Sequence, residues 1–276
     1  MKKQKRIIAS ILAFFIVILA ACDNGEDNMQ EDRKTIYEKI QEKGVITIGT
    51  EGTYRPFSYR DEKEELRGYD IEVAKAVADK LGLKTEFREI NWDGLFAALD
   101  TREIDLVMNQ AEVTKERKEK YDFSEPYLYS YAALITAKED HEINDWESAR
   151  GKEVALNASG SYMRIAEKYR MDVKTTDSFQ KAAELLKTGQ VDCVIDNTIV
   201  VEDYLKEKPG SQLRIADIVQ EPDVTAIPIP KGNTDFLEAV NKALSELKKD
   251  GTLARLSKEH FGQDFSRKIS VEELKK

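Results

Sequence analysis

The feature that most constrains this chain is an alternation. Short β-branched runs are followed repeatedly by stretches with helical periodicity. "VITIG" (45–49) reads as a strand. Asp70 is then placed to cap "IEVAKAVADKLG", where Ile71, Ala74, Val77, Ala78 and Leu81 share one helical face and Gly82 supplies the stop. "TEFREI" reads as a second strand, "WDGLFAALD" as a short helix and "IDLVM" (104–108) as a strand of buried type. The grammar then returns with "EVAL" (153–156), a helix from Tyr162, "DVKTT", the helix "SFQKAAELLKTG" and the strand "VDCVI". Repeated βαβ alternation predicts an α/β protein with largely parallel sheets.

The alternation contains a weak internal repeat. "LDTREIDLVMN" (99–109) aligns without gaps on "LKTGQVDCVID" (186–196), so Asp105 matches Asp192 and Asn109 matches Asp196. Two similar α/β lobes follow from this reading. In open α/β sheets ligands sit beyond the carboxyl ends of the strands. Two lobes facing each other put Asn109–Gln110 and Asp196–Asn197 on opposite walls of one cleft.

The 276 residues suffice for two lobes of about 100–150 residues each. A net charge of −9 argues against a nucleic-acid partner, which requires a basic face. The N-terminus carries a positive run, "MKKQKR", followed by the uncharged apolar stretch Ile7–Ala20. That stretch is short for a bilayer span of roughly 20 residues and ends in small residues, as a secretory signal does. "LAAC" (Leu19–Cys22) resembles the lipobox of bacterial lipoproteins, which implies cleavage before Cys22 and lipid on its sulfur. Residues 1–21 are then a signal peptide and 22–32 a lipidated polar tether. With Cys22 acylated, Cys193 has no partner for a disulfide and reads as a small core residue. His141 and His260 lie in polar surroundings without metal-ligand spacing, so no metal or cofactor is expected.

No G-x-S-x-G, P-loop, G-x-G-x-x-G or His/Cys cluster is present, so the sequence offers no catalytic plan. What stands at the strand ends is polar and aromatic. In "GTEGTYRPFSY" (49–59), Glu51 sits at the mouth of a restricted loop with Tyr54 and Phe57 behind it. A carboxylate beside aromatic faces suits a ligand with an ammonium group. A solvated turn with core aromatics fits the same residues equally well. Trp92, opening the next helix, fits a core position somewhat better than a ligand wall.

"IGTEGTYRPFSY", "LRGYDIEVAKAVADKLGLKTEF", "WDGLFAALDTREIDLVMNQ", "TKERKEKYDFSEPY" and "LKKDGTLARLSKEHFG" together resemble the polar amino-acid substrate-binding proteins of bacterial ABC importers, over nearly all of residues 35–265. The forms "NQ…T.ER…YDFS.PY" and "GTEGTY" are most similar to the cystine-binding branch. The resemblance implies a periplasmic-binding-protein-like type II fold, two α/β lobes joined by two hinge strands near "YSYAALITA" and "PDVTAIPIP". Lobe one would comprise 33–130 and 226–276, and lobe two 131–225. It implies a monomeric, lipid-anchored extracytoplasmic receptor, not an enzyme, that delivers a polar amino acid to a membrane permease, with cystine the first candidate.

Carried over by position, the resemblance makes Arg117 the clamp for the ligand α-carboxylate, since a guanidinium forks onto a carboxylate with two parallel hydrogen bonds. Asn109, Gln110 and the backbone around Glu112 complete that wall, and Thr114 caps the helix that carries Arg117. Tyr54 and Trp92 sandwich the ligand side chain, and Glu51 stands at the mouth. Ser159, Gly160 and Ser161 in "NASGSY" (157–162) meet the carboxylate from the second lobe. Without the resemblance, Arg117 reads as an i,i+4 partner in "KERKEKY".

Two positions depart from the family pattern. Asn197 stands where an Asp usually pairs with the ligand ammonium, as if Asp196 and Asn197 were swapped. Strand alternation then turns Asp196 away from the cleft. Glu112 stands where a small or hydroxylated residue is usual. Two arrangements follow: Glu112 takes over the ammonium, or Asn197 with Glu51 suffices. The alternatives in function are a cyclohexadienyl dehydratase-like enzyme on the same fold, with Glu51 or Glu112 as acid, and a ligand-sensing receptor subunit.

Overall fold

The computed structural model describes residues 34–157 and 161–274. The signal-peptide and Cys22 expectations therefore lie outside the described residues. The chain divides into residues 1–43 and 44–276. In the first, helix α1 (Ile36–Lys43) is opened by a reciprocal cap: Thr35 Oγ1 accepts from Glu38 N, and Glu38 Oε2 accepts from Thr35 N.

The second unit is built around two sheets. In one, β1 (Val45–Thr50) lies between β5 (Lys84–Glu89) and β6 (Leu106–Val107), all parallel. Helix α2 (Tyr69–Leu81) links β1 to β5, and α3 (Trp92–Asp100) links β5 to β6. The short strands β2 (Thr53–Tyr54), β3 (Ser58–Arg60) and β4 (Leu66–Arg67) form an antiparallel flap between β1 and α2. The other sheet has the order β11–β10–β12–β9–β13, from Asp172–Thr175, Glu153–Leu156, Cys193–Asn197, Ala132–Ala137 and Leu213–Ile218. Strands β10, β11 and β12 are parallel, whereas β9 runs antiparallel to both β12 and β13. The largely parallel expectation thus holds for the first sheet and for three strands of the second. Helices α5 (Ser161–Lys168) and α6 (Phe179–Lys187) are the crossovers of the second sheet. Every residue of β12 is buried, the apolar Cys193, Val194 and Ile195 as in a strand covered on both faces, and the polar Asp196 and Asn197 at its carboxyl end. Cys193 is a free thiol in that strand.

The chain passes between the sheets twice, and the two passages pair. Strand β8 (Leu128–Ser130) is antiparallel to β14 (Asp223–Thr225), and β7 (Tyr121–Phe123) to β15 (Pro228–Pro230). After the second passage, α8 (Thr234–Lys249) and α9 (Thr252–Phe261) pack against α2. The ring of Phe261 lies 4.9 Å from Tyr69 and 5.5 Å from Phe57. The architecture is the two-lobed α/β fold.

Asp70 does not cap α2. The cap position is Gly68, which has no side chain to offer and has φ 121. A Cβ there would collide with the carbonyl of Phe57, so only glycine fits. Asp70 is the second residue of the helix and is fully buried. Gly82 ends the helix in the left-handed conformation, as the sequence predicts.

The internal repeat is a shared joint. Asp105 takes the N–H of Thr47 on β1 through Oδ2 at 2.7 Å and donates its own N–H to the Thr47 carbonyl. Asp192 does the same with Glu153 on β10, at 2.9 Å in both directions. In each lobe an aspartate staples the start of one strand to its parallel neighbour. Four residues later that strand delivers a polar side chain, Asn109 or Asp196, to its carboxyl end.

Candidate functional site

At the end of β6 the polar residues are held from several sides. Asn109 Oδ1 accepts from Glu51 N at 2.9 Å and from the hydroxyls of Thr50 and Ser58 at 3.1 Å each, while its Nδ2 donates to Glu51 Oε2 at 2.6 Å. Glu51 Oε1 also accepts from Trp92 N at 3.3 Å. Asn109 thereby fixes the loop after β1 and aims Glu51 at the start of α3.

Beyond Gln110 the chain turns into α4 (Lys115–Lys120). Thr114 caps it, accepting from Arg117 N at 3.2 Å. Arg117 leans back across the strand end. Its guanidinium lies 5.1 Å from the ring centres of both Trp92 and Phe96, and its Nη1 donates to the Glu112 carbonyl at 2.9 Å. Stacking and one hydrogen bond hold the plane and leave other N–H groups of the fork available. Burial pulls its pKa below the ordinary guanidinium value, with the Glu112 charge opposing. Trp92 belongs to the margin of the core cluster of Leu95, Leu99 and Val107 and also faces the pocket, so the core and wall readings both apply.

Across the cleft, β12 ends in Asp196 and Asn197. Asn197 caps α7 (Thr198–Glu207), accepting from Ile199 N at 2.9 Å, and donates to Ser130 Oγ at 2.8 Å. Its amide is spent on structure. Asp196 does not turn away from the cleft, as strand alternation predicted. It lines the pocket, and its negative charge raises the phenol pKa of both Tyr54 and Tyr162, after burial itself. Asp196 is still paired with Ala133 inside the ladder, but the pocket meets the end of β12 rather than one face of it, so Asp196 and Asn197 both border it.

These residues line one pocket of about 110 Å³, several times the ~10–15 Å³ a single water requires. Glu51, Tyr54, Trp92, Asn109, Gln110, Glu112, Arg117, Asp196 and Asn197 are all brought to its wall. The profile of the bacterial extracellular solute-binding proteins, family 3, matches residues 46–263. The chain belongs to that family. It is 37% identical over 268 residues to the L-cystine-binding protein TcyA of Bacillus subtilis (strain 168), covering 96% of this chain and 100% of the relative. Among solved structures, an ancestral arginine-binding protein bound to arginine matches with a TM-score of 0.73 and 37% identity, covering 79% of this chain and 99% of that one. The unliganded open L-cystine solute receptor of Neisseria gonorrhoeae matches with a TM-score of 0.65 and 34% identity, covering 85% and 100%.

The electrostatics of this pocket are uneven. Burial lifts the Asp196 carboxyl to about 7, and among the described residues its carboxylate accepts from its neighbour's backbone, Asn197 N, at 2.7 Å. Among the described residues no lysine or arginine pairs with it. Glu112 is different: its carboxylate accepts from Arg164 Nη2 on α5 at 2.9 Å, across the cleft. The arrangement in which Glu112 replaces the missing ammonium partner is therefore disfavoured, because that charge is already matched.

Several wall residues were not singled out from sequence. Tyr162 and the segment Asp177–Gln180 close the second-lobe side, and Asp223 and Thr225 come from the returning passage. Arg55 lines the rim and pairs with Asp203 at 2.9 Å and Glu207 at 2.6 Å on α7. Asp203 and Glu207 are four residues apart on one helical face, a spacing that sequence alone exposes. No local signal marks Thr225, whose place depends on the return of the chain. Ser159 and Gly160 lie outside the described residues, and Ser161 is placed only as the first residue of α5.

Proposed function

We propose that this solute-binding protein captures a free amino acid carrying a second cationic group, with cystine the first candidate, and passes it to an ABC importer permease. The observation that carries the reading is a pair: an anchored guanidinium, Arg117, on one wall and an unpaired buried carboxylate, Asp196, on the other. A zwitterion's carboxylate takes the Arg117 fork, and its α-ammonium takes Asp196. A charge buried in a water-poor cleft without a partner costs several kcal/mol, and each group relieves the other's penalty. Tyr54 and Trp92 flank the ligand side chain. Glu51 then stands as a further carboxylate toward the side chain, bonded to Trp92 N and Asn109 but to no cation among the described residues. A second ammonium suits it, as in cystine; the guanidinium of arginine fits the same charge pattern. The cystine-binding and arginine-binding relatives support both.

In this reading Ser159, Gly160 and Ser161 add backbone donors from the second lobe. Lobe one comprises 33–130 and 226–276 and lobe two 131–225, joined at the paired passages. Residues 1–21 are a signal peptide, and Cys22 carries the lipid that keeps a monomer at the outer face of the membrane. The protein binds and releases its ligand unchanged, as the transport relatives support.

Mass spectrometry of ligand retained after gentle purification, with calorimetry against L-cystine, L-arginine and L-glutamine, tests this. Intact cystine or arginine retained, with glutamine at least tenfold weaker, is expected. A chemically altered product, or a neutral amino acid bound most tightly, contradicts it.

A further inference from the structure

Asp70 has no capping role, is fully buried and does not line the pocket, yet its carboxylate collects three donors. Gln110 N donates to Oδ2 at 2.9 Å, Gln110 Nε2 to Oδ1 at 2.7 Å, and Tyr127 Oη to Oδ1 at 3.0 Å. Among the described residues no cation accompanies it. An isolated buried carboxylate is costly, and the three donors offset part of that cost while tying Asp70 to Gln110 and Tyr127.

What they hold is Gln110, whose φ is 51, in the left-handed region that a non-glycine residue enters only when its surroundings over-determine it. This twist ends β6 and starts the wall that follows. Gln110 Oε1 accepts from Thr225 Oγ1 at 3.4 Å, Ala226 N donates to Ala111 O at 3.3 Å, and Val113 N donates to Val224 O at 2.9 Å. The wall is thus fastened to the returning passage on one side and to Asp70 on the other. Its central carbonyl, that of Glu112, is the one that orients Arg117.

Tyr127 extends the linkage. It begins the outgoing passage, in which Ser130 bonds the Asn197 amide beside Asp196. The carbonyl of Tyr127 accepts from Tyr69 Oη at 3.0 Å, so α2 holds this tyrosine at both ends. One buried carboxylate therefore fixes the register between the Arg117 wall and the start of the passage that leads to the opposite wall.

We infer that Asp70 is the positioning residue of the binding cleft: it sets Gln110 and, through the Gln110–Glu112 turn, the orientation of Arg117. The inference rests on the amino-acid reading above only for the choice of probe. Asp70→Asn keeps the shape but replaces one acceptor oxygen by an NH2 group that faces a donor. In the folded variant, calorimetry with L-cystine is expected to show at least tenfold weaker binding. In the ligand-free protein, NMR is expected to show displaced resonances for the Gln110 side-chain amide and Arg117 Nε. A purely structural role lowers the melting temperature and moves the directly bonded Gln110 amide, but leaves the Arg117 Nε resonance and the affinity in place; affinity within twofold of wild type overturns the inference. If Asp70→Asn does not fold, Tyr127→Phe removes one of the three donors and keeps the ring. Roughly threefold weaker binding with a shifted Gln110 amide is then expected, and wild-type values for both overturn the inference. Wild-type protein that binds neither L-cystine nor L-arginine counts against the amino-acid reading instead, while the ligand-free NMR comparison still decides for or against Asp70.

Discussion

The ends of β6 and β12 are the same joint used for two purposes. Both strands start with an aspartate that staples a parallel neighbour, Asp105 to Thr47 and Asp192 to Glu153. Four residues on, the joints diverge. Asn109 is saturated: three donors reach its oxygen and its nitrogen holds Glu51. Asp196 is nearly bare, with one backbone donor and a charge that burial opposes. One wall is thus a bonded scaffold that presents Arg117 already aimed, whereas the other keeps an unmet charge in reserve. A preorganised cation facing an unsatisfied anion gains most from a ligand that brings both complements at once.

The largest effect is expected from breaking the scaffold's product. Arg117→Ala removes the aimed guanidinium and should weaken L-cystine by over a hundredfold, about 3 kcal/mol, in a folded protein. Calorimetry checks this. Acid should weaken the other wall progressively. Asp196 is at about 7 in the folded state against 3.8 for an unperturbed aspartate, and it must ionise to meet an ammonium. Affinity should therefore fall as pH drops below about 7, towards tenfold per unit. Stability of the ligand-free protein runs oppositely. Asp70 and Asp196 keep protons that the unfolded chain loses between about pH 4 and 7, so this contribution is fully present below that window and is lost as pH rises through about 7. Urea unfolding and calorimetry from pH 5 to 8 read both slopes.

Smaller effects sharpen the contrast. Asn109→Ala strands several buried groups and should cost about 3 kcal/mol of stability, whereas Asn197→Ala loses one helix cap and one hydroxyl contact, about 1–2 kcal/mol. Chemical denaturation of the two variants ranks them. Glu112→Gln breaks a pair whose Arg164 side is 54% exposed and should change L-cystine affinity by no more than about threefold.

The fold was legible because it rests on local patterns. The face of Ile71, Ala74, Val77 and Ala78 and the stop at Gly82 are written in consecutive residues, and so is the cap of α4 at Thr114. The αβ joints were legible as a repeat because the staple needs an aspartate at a fixed distance from the strand end. The antiparallel place of β9 was not, since it depends on where the passage from β8 enters the sheet. Asp70 was misread as a cap because an aspartate before an apolar helical face fits that role. Only the fold brings Gln110 and Tyr127, 40 and 57 residues away, onto its carboxylate. Asp196 was turned the wrong way because alternation assigns faces of a sheet, whereas the pocket meets the end of β12 and borders both Asp196 and Asn197. Arg164 was invisible as the partner of Glu112 because the two lie 52 residues apart and on different lobes.

Calorimetry of Asp196→Asn with L-cystine at pH 7.5 decides whether Asp196 rather than Glu112 receives the ligand ammonium. The amide preserves shape and relieves a buried charge, so the variant should fold at least as stably as wild type. Affinity is expected to fall by roughly a hundredfold, the cost of burying an ammonium against a neutral partner. A folded Asp196→Asn protein that binds L-cystine within threefold of wild type contradicts that role for Asp196.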